Sequence, residues 1–217
     1  MMVSLSEEVL VKGISEAKSL RKPRGFEESV DLVASIEGLD LRKPENRITL
    51  TIRLPNPLPK PKKICVIADG PFVEKAREVG VDFILTKQDL ESLQGDRRRI
   101  KKFASSYDFF LSQPQFMGLV GKVMGFALGP RGKMPSVFTS LDDLISKVTS
   151  LKSSVRVMLR KNPEVQCSIG TVSMGDRETA ENGMTVLNEV EPRVREKGGR
   201  VKRVYVKTTM GPPVRVL

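Results

Sequence analysis

Four prolines occupy every second position of Pro55-Asn56-Pro57-Leu58-Pro59-Lys60-Pro61. Each lacks a backbone N–H and fixes φ, so the stretch suits neither helix interior nor sheet interior. It reads as an extended connector and a domain boundary, and the chain changes style across it. Before it, Ile48, Leu50, Ile52 and Leu54 alternate with Arg47, Thr49, Thr51 and Arg53. A period of two predicts a strand with one covered face. The same period runs through Phe26, Glu28, Val30, Leu32, Ala34 and Ile36, with the buried face set by Val30, Leu32 and Ile36. After the prolines, Ile64-Cys65-Val66-Ile67-Ala68 is apolar without a break, as in a parallel strand covered on both faces.

The middle of the chain continues in that second style. A helix is expected over Phe72–Val79, a strand over Val81–Leu85, helices around Asp89 and from Arg97 to Ala104, and a short strand at Phe109–Leu111. The apolar run Gly118–Leu128 and a helix from Thr139 or Ser140 to Leu151 follow, which completes a β-α-β-α order and an α/β layered unit. Alternation then returns at Val155, Val157 and Leu159 and at Val165, Cys167 and Ile169. A helix over Arg177–Glu196 and a strand over Val201–Thr208 close the chain. At the other end, Ser4-Leu5-Ser6-Glu7 has the form of a capping box for a helix over Ser6–Leu20. The outer thirds share one style and are expected to complete one sheet. The fold class is therefore α/β (α+β) in two domains, one from residues 1–58 and 155–217, the other inserted at 59–154.

Charge points to a polyanionic partner. The 217 residues carry 37 basic and 26 acidic side chains, net +11. The first segment is net 0, the inserted one +6 and the last +5. Such a balance attracts nucleic acid first and anionic membrane second. Membrane is the weaker reading: no apolar run approaches the roughly 20 residues of a span, and no basic amphipathic helix carries Trp or Phe on its apolar face. The N-terminus lacks the cationic start of a secretory signal. Cys65 and Cys167, far apart, are expected as buried thiols in a reducing compartment. The run Arg97-Arg98-Arg99-Ile100-Lys101-Lys102 is expected as a solvated helix face that adds non-specific attraction.

Catalysis is poorly provided for. The chain has no histidine, hence no His-paired nucleophile and no His-bearing zinc site. Gly129-Pro130-Arg131-Gly132-Lys133 invites a phosphate-loop reading, with Arg131 and Lys133 projecting from a loop held by glycines and prolines. It fails that test twice, since Ala127 stands where the first glycine belongs and Met134 where the Ser or Thr must bind magnesium. Ala68-Asp69-Gly70-Pro71 has one glycine where a dinucleotide loop has three. No cofactor or metal is expected. An anion- or nucleotide-binding enzyme domain using Gly129–Lys133 stays open as the alternative.

RNA binding fits better. A half-covered sheet offers an open face or edge on which hydroxyls, Lys and backbone amides reach phosphates and 2′-hydroxyls. Lys207-Thr208-Thr209-Met210-Gly211 has these types, with a glycine for close approach and a Met to pack on a sugar or base. Phe26 suits stacking. The ordinary alternatives are a core-edge Phe and a strand ending in a turn.

Four separated words carry a family resemblance: Arg24-Gly25-Phe26-Glu27-Glu28-Ser29-Val30, Arg42-Lys43-Pro44-Glu45-Asn46-Arg47-Ile48, the run Leu128–Pro135, and Tyr205-Val206-Lys207-Thr208-Thr209-Met210-Gly211-Pro212. In order and spacing they resemble the ribosomal protein L-one family, the mobile stalk protein of the large subunit, in its archaeal form. The resemblance implies a terminal two-layer domain that grips large-subunit ribosomal RNA and an inserted Rossmann-like three-layer domain without dinucleotide. It implies contact with exit-site tRNA and assistance to release of deacylated tRNA. It also implies repression of translation through the protein's own messenger RNA, a monomer when off the ribosome, and a cytoplasmic location. The RNA-facing positions it implies are Phe26, Ser29, Gly170, Thr209, Met210 and Gly211, with Arg203 and Lys207 on the strand face of Thr209. Gly25 and Thr171 stand where some relatives have Lys, which puts those two contacts in question.

Overall fold

The computed structural model describes residues 6–217. The chain folds into two compact units, one reaching Lys60 and resuming at Ser153, the other spanning Pro61–Lys152. Helix α1 (Glu7–Ser19) starts at Ser6, which makes no side-chain cap bond, and buries Leu10, Ile14 and Ala17. The Ser4-Leu5 half of the expected capping box lies outside the described residues. Strand β1 (Ser29–Glu37) alternates strictly in burial, as its two-residue period requires. Phe26 is not part of it and stands exposed before it. Strand β2 (Ile48–Arg53) follows a 3-10 turn at Pro44–Asn46.

The second unit runs β3 (Ile64–Ile67), α2 (Pro71–Glu78), β4 (Phe83–Leu85), α3 (Lys87–Ser92), α4 (Arg97–Ser106), β5 (Phe109–Ser112), α5 (Met117–Leu128), β6 (Ser136–Val137) and α6 (Leu141–Lys152). Its sheet is parallel, in the order β4-β3-β5-β6. Strands β3 and β5 are buried at every residue, because helices cover both faces. Cys65, Ile67 and Phe110 pack with residues of α3, α4 and α5, whereas Ile64, Val66, Phe109 and Leu111 pack with residues of α2 and α6. Unbroken apolar character in β3 thus follows from a three-layer arrangement.

The chain then adds β7 (Ser154–Leu159), β8 (Glu164–Thr171), α7 (Asp176–Glu196), β9 (Arg200–Thr208) and β10 (Val214–Arg215) to the first unit. Its main sheet is antiparallel, ordered β10-β9-β1-β8. The expectation of one sheet from the outer thirds is corrected. Strands β2 and β7 form a separate two-stranded ladder, from Ile48↔Leu159 to Arg53↔Ser154. The reason is pairing: both edges of β1 are occupied, by β8 and β9, so β2 finds its ladder in β7. Helices α1 and α7 pack on the main sheet and share its core with the β2–β7 ladder.

The proline connector is tied to the first unit. Asn56 N–H donates to Asn182 Oδ1 (3.0 Å), and Asn182 Nδ2 donates to Asn56 O (2.9 Å) and Ile169 O (2.8 Å). Asn182 is fully buried, and these bonds satisfy it. Leu54 N–H donates to Ser153 O (2.9 Å), so the points where the chain leaves and re-enters this unit are adjacent.

Candidate nucleic-acid interface

The residues expected to face RNA converge where β1 begins and β9 ends. Thr209 sits opposite Ser29 and bonds it three ways. Its N–H donates to Ser29 O (3.0 Å), its hydroxyl accepts from Ser29 N–H (3.0 Å), and the hydroxyl also lies 3.3 Å from Ser29 O as a donor. One lone pair of Thr209 Oγ1 stays available to a partner. The turn after β9 is closed by Gly211 N–H on Thr208 O (3.2 Å). Met210, 59% exposed, projects from it, and Phe26 is 53% exposed. Both are large apolar side chains of the kind that can pack on a sugar or base.

Glu28 underlies this turn, and the sequence did not single it out. It is 1% exposed, and its Oε1 accepts from Met210 N–H (3.1 Å). Among the described residues, its Oε2 and the neighbouring Thr208 Oγ1 are buried without hydrogen-bond partners. Two unsatisfied polar atoms under one exposed turn mark a place where packing is subordinate to something else. The visible signal was parity: Glu28 shares the buried face of Val30 and Leu32.

Beside it, Ser173 donates to Glu27 Oε1, and Thr171 Oγ1 lies 2.9 Å from Ser173 Oγ. These hydroxyls, Ser173 first and Thr171 next, hold the Glu27 carboxyl below its ordinary value against a small desolvation. The ionised carboxylate can accept from a 2′-hydroxyl. Thr171 pairs with Ser29 in the β-ladder and is 4% exposed, which makes it a support for this edge.

On the open face of the sheet, Lys207 lies opposite Asp31, Tyr205 opposite Val33, and Arg203 opposite Ser35. Arg203 and Lys207 therefore share a face with Thr209. Register shifts flank this face between Val30 and Asp31 and between Ser35 and Ile36. Bulges of this kind re-aim side chains at the ends of a strand.

Gly170 departs from its expected place. It is buried opposite Val30 on the core side, and a Cβ there would meet Thr179 of α7 at 2.8 Å. Its missing side chain admits the helix.

The Gly129–Lys133 loop departs further. Its two cations turn back onto the protein instead of projecting. Lys133 Nζ donates to Tyr107 O (2.6 Å) and Ala104 O (3.1 Å), carbonyls at the C-terminal end of α4. That is the favourable end of a helix for a cation. Arg131 Nη1 reaches Ala127 O (3.3 Å), and Lys133 N–H closes the turn on Leu128 O (2.9 Å). Gly132 takes φ +64°, which a side chain would oppose. The loop locks α5 to α4 and presents no cradle for an anion. At the carboxyl ends of β3 and β5, where an open α/β sheet would hold a nucleotide, the buried Gln113 bridges the strands. Its Oε1 accepts from Asp69 N–H (2.9 Å) and Gln115 Nε2 (3.3 Å). Pro71 removes a donor at the start of α2. The arrangement offers no support to the nucleotide-binding enzyme alternative. Cys65 and Cys167 are buried free thiols, and burial pushes the Cys65 thiol well up.

Compared with known proteins, residues 16–212 match the Ribosomal protein L1p/L10e family. The chain is 44% identical over 216 residues to "Large ribosomal subunit protein uL1" of Pyrobaculum arsenaticum, covering 100% of this chain and 96% of that protein. It is 41% identical over 213 residues to the protein of that name in Methanobrevibacter smithii, covering 98% and 100%. Against that of Thermococcus kodakarensis it is 40% identical over 218 residues, covering 99% of each.

Proposed function

The chain belongs to the ribosomal protein L1p/L10e family, and on that premise we propose how it works in the large ribosomal subunit. Its role there is structural and not catalytic: it binds large-subunit ribosomal RNA through the first unit and forms the mobile stalk beside the tRNA exit site. Phe26, Ser29, Thr209, Met210 and Gly211 make the specific contact, and Arg203 and Lys207 add charge along the same face. The observation that carries this reading is the hydroxyl and carboxylate cluster where β1 meets the end of β9. Thr209, Ser29 and Glu28 hold an exposed Met210 and a tight Gly211 turn in one geometry. Such a surface distinguishes RNA from DNA through the 2′-hydroxyl and through close backbone approach.

The stalk is further read as a monomer off the ribosome, located in the cytoplasm. It assists release of deacylated tRNA and represses translation by binding a similar fold in its own messenger RNA. The test is binding of the purified protein to large subunits stripped of this protein, with the ribosomal RNA fragment, its DNA counterpart and the protein's own messenger as competitors. Competition by the two RNAs and not by DNA is expected. Equal competition by DNA would overturn the hydroxyl-reading site, and failure to rebind stripped subunits would overturn the role itself.

A further inference from the structure

The second unit carries a concentration of charge that the interface above does not use. Helix α4 opens with Arg97-Arg98-Arg99 and continues through Lys101 and Lys102. Its inner face is set by Ile100 and Ala104, both buried, while Arg98, Lys101, Lys102 and Ser105 lie exposed at helical spacing. Arg97 leans instead toward α5, with its guanidinium carbon 5.6 Å from the Phe126 ring centre. One turn before Phe126, Lys122 is exposed on the same helix. Among the described residues, none of Arg98, Lys101, Lys102 and Lys122 makes a salt bridge. On α5, Gly118 and Gly121 are exposed, and no neighbour lies within 4 Å of where a Cβ would stand.

This arrangement works against the helix that bears it. Cations in the first turn oppose the macrodipole, and Asp96 offsets this by accepting from Arg99 N–H (2.9 Å), with Asp89 also acting on Arg99. Arg98 faces Lys101 and Lys102 at i,i+3 and i,i+4, where like charges repel. Lys133 supports the helix from its other end. A local arrangement that repels itself is relieved by an anion lying across it, and a row of cations about 5–6 Å apart suits a row of anions.

We propose that the exposed face of α4, Arg98, Lys101 and Lys102 with Lys122 of α5, is a second RNA-binding surface that docks on the phosphate backbone of a duplex without reading its sequence. Flexible cations without amide or hydroxyl partners aimed at base edges position a backbone rather than specify a base. Phe126, an exposed aromatic on α5, already engages the Arg97 guanidinium, so the cations rather than a free stacking ring define this surface. The glycine face of α5 lets a bulky backbone approach. The surface belongs to the second unit and is independent of the specific contact proposed for the first.

The test uses the full chain. Arg98→Ala, Lys101→Ala and Lys102→Ala are combined, and affinity for a random-sequence RNA duplex is measured across a salt series. The slope of log affinity against log salt should become shallower by about 2–3, close to one counterion per lost cation. A matched variant, Arg177→Ala with Arg193→Ala and Arg195→Ala, removes the same charge from α7, where Arg193 and Arg195 already pair with Glu196 and Glu191. It should leave the slope near wild type. Charge reversal with Lys101→Glu and Lys102→Glu should weaken binding further, and circular dichroism reports whether each variant is folded. An unchanged slope in the α4 variant, or an equal change in the α7 variant, overturns the proposal. So does displacement by polyglutamate as effective as by duplex, which would assign the face to an acidic protein. Preference for the ribosomal RNA site over random duplex should survive in the α4 variant. Its absence in the wild type would sink the first-unit reading and leave this one standing.

Discussion

Gly211→Ala tests the turn at the centre of the proposed interface. Gly211 does not take a positive φ, so the change creates no backbone strain of that kind. The obstacle is steric: a Cβ at Gly211 falls on Thr208 Oγ1, far inside the contact distance, with Thr208 Cβ at 3.5 Å. Restoring ordinary contact near 3.5 Å requires the turn to open by roughly 1 Å. Thr208 is fully buried and cannot swing away freely. Overpacking of this size costs about 1–3 kcal/mol in stability. An opened turn also displaces Met210 and the Thr209 hydroxyl, both proposed RNA contacts, at an expected cost of about 1–3 kcal/mol, or about 5- to 150-fold in affinity. Because the obstacle is one atom whose hydroxyl has no partner, Thr208→Ala alone should cost only about 1 kcal/mol and should rescue Gly211→Ala. Urea unfolding followed by circular dichroism and filter binding to the ribosomal RNA fragment complete the double-mutant cycle. A Gly211→Ala protein that binds like wild type, or a double variant no better than Gly211→Ala, would refute the reasoning.

Gly170→Ala should destabilise the first unit by about 1–3 kcal/mol through Thr179 and leave RNA preference intact, because the position packs a helix; a selective loss of RNA binding at unchanged stability would return Gly170 to the interface. Lys133→Met strands the carbonyls of Ala104 and Tyr107, so amide exchange near the end of α4 should accelerate by a factor corresponding to about 1–3 kcal/mol, while unchanged protection would show that the lysine is dispensable. Glu37 accepts from Lys202 and Arg200, which lower its pKa from 4.5 to about 2. The folded state thus favours the ionised form, a stabilisation present above about pH 4.5 and lost as pH falls toward 2; it should be small because the pair is exposed, and a carboxyl titration midpoint near 4.5 by NMR would contradict the pairing. Joining the two chain segments of the first unit from Lys60 to Ser153 through a short Gly/Ser linker, which keeps Asn56 on the buried Asn182, should yield a folded protein that keeps its preference for the ribosomal site; a folded product without preference would place specificity in the excised segment.

The sequence by itself determined what depends on local order. Strict alternation in Ser29–Glu37 showed which side of β1 is buried, and unbroken apolar character in Ile64–Ile67 showed a strand covered twice. Both follow from where successive side chains point, which is a property of the backbone and survives any tertiary arrangement. The words around Phe26 and Thr209 were legible as a family signature and as residue types suited to RNA. Tertiary structure alone decided what those residues touch. It turned Lys133 inward onto the end of a helix 26 residues away in sequence. It also set Gly170 against Thr179 and split the outer strands into two sheets, because β1 has only two edges. And it placed Glu28 beneath Met210, 182 residues further along. Hydrogen-bond partners so distant leave no periodicity in the chain; they are fixed only when the strands that carry them pair, and that pairing sets the geometry of the proposed interface.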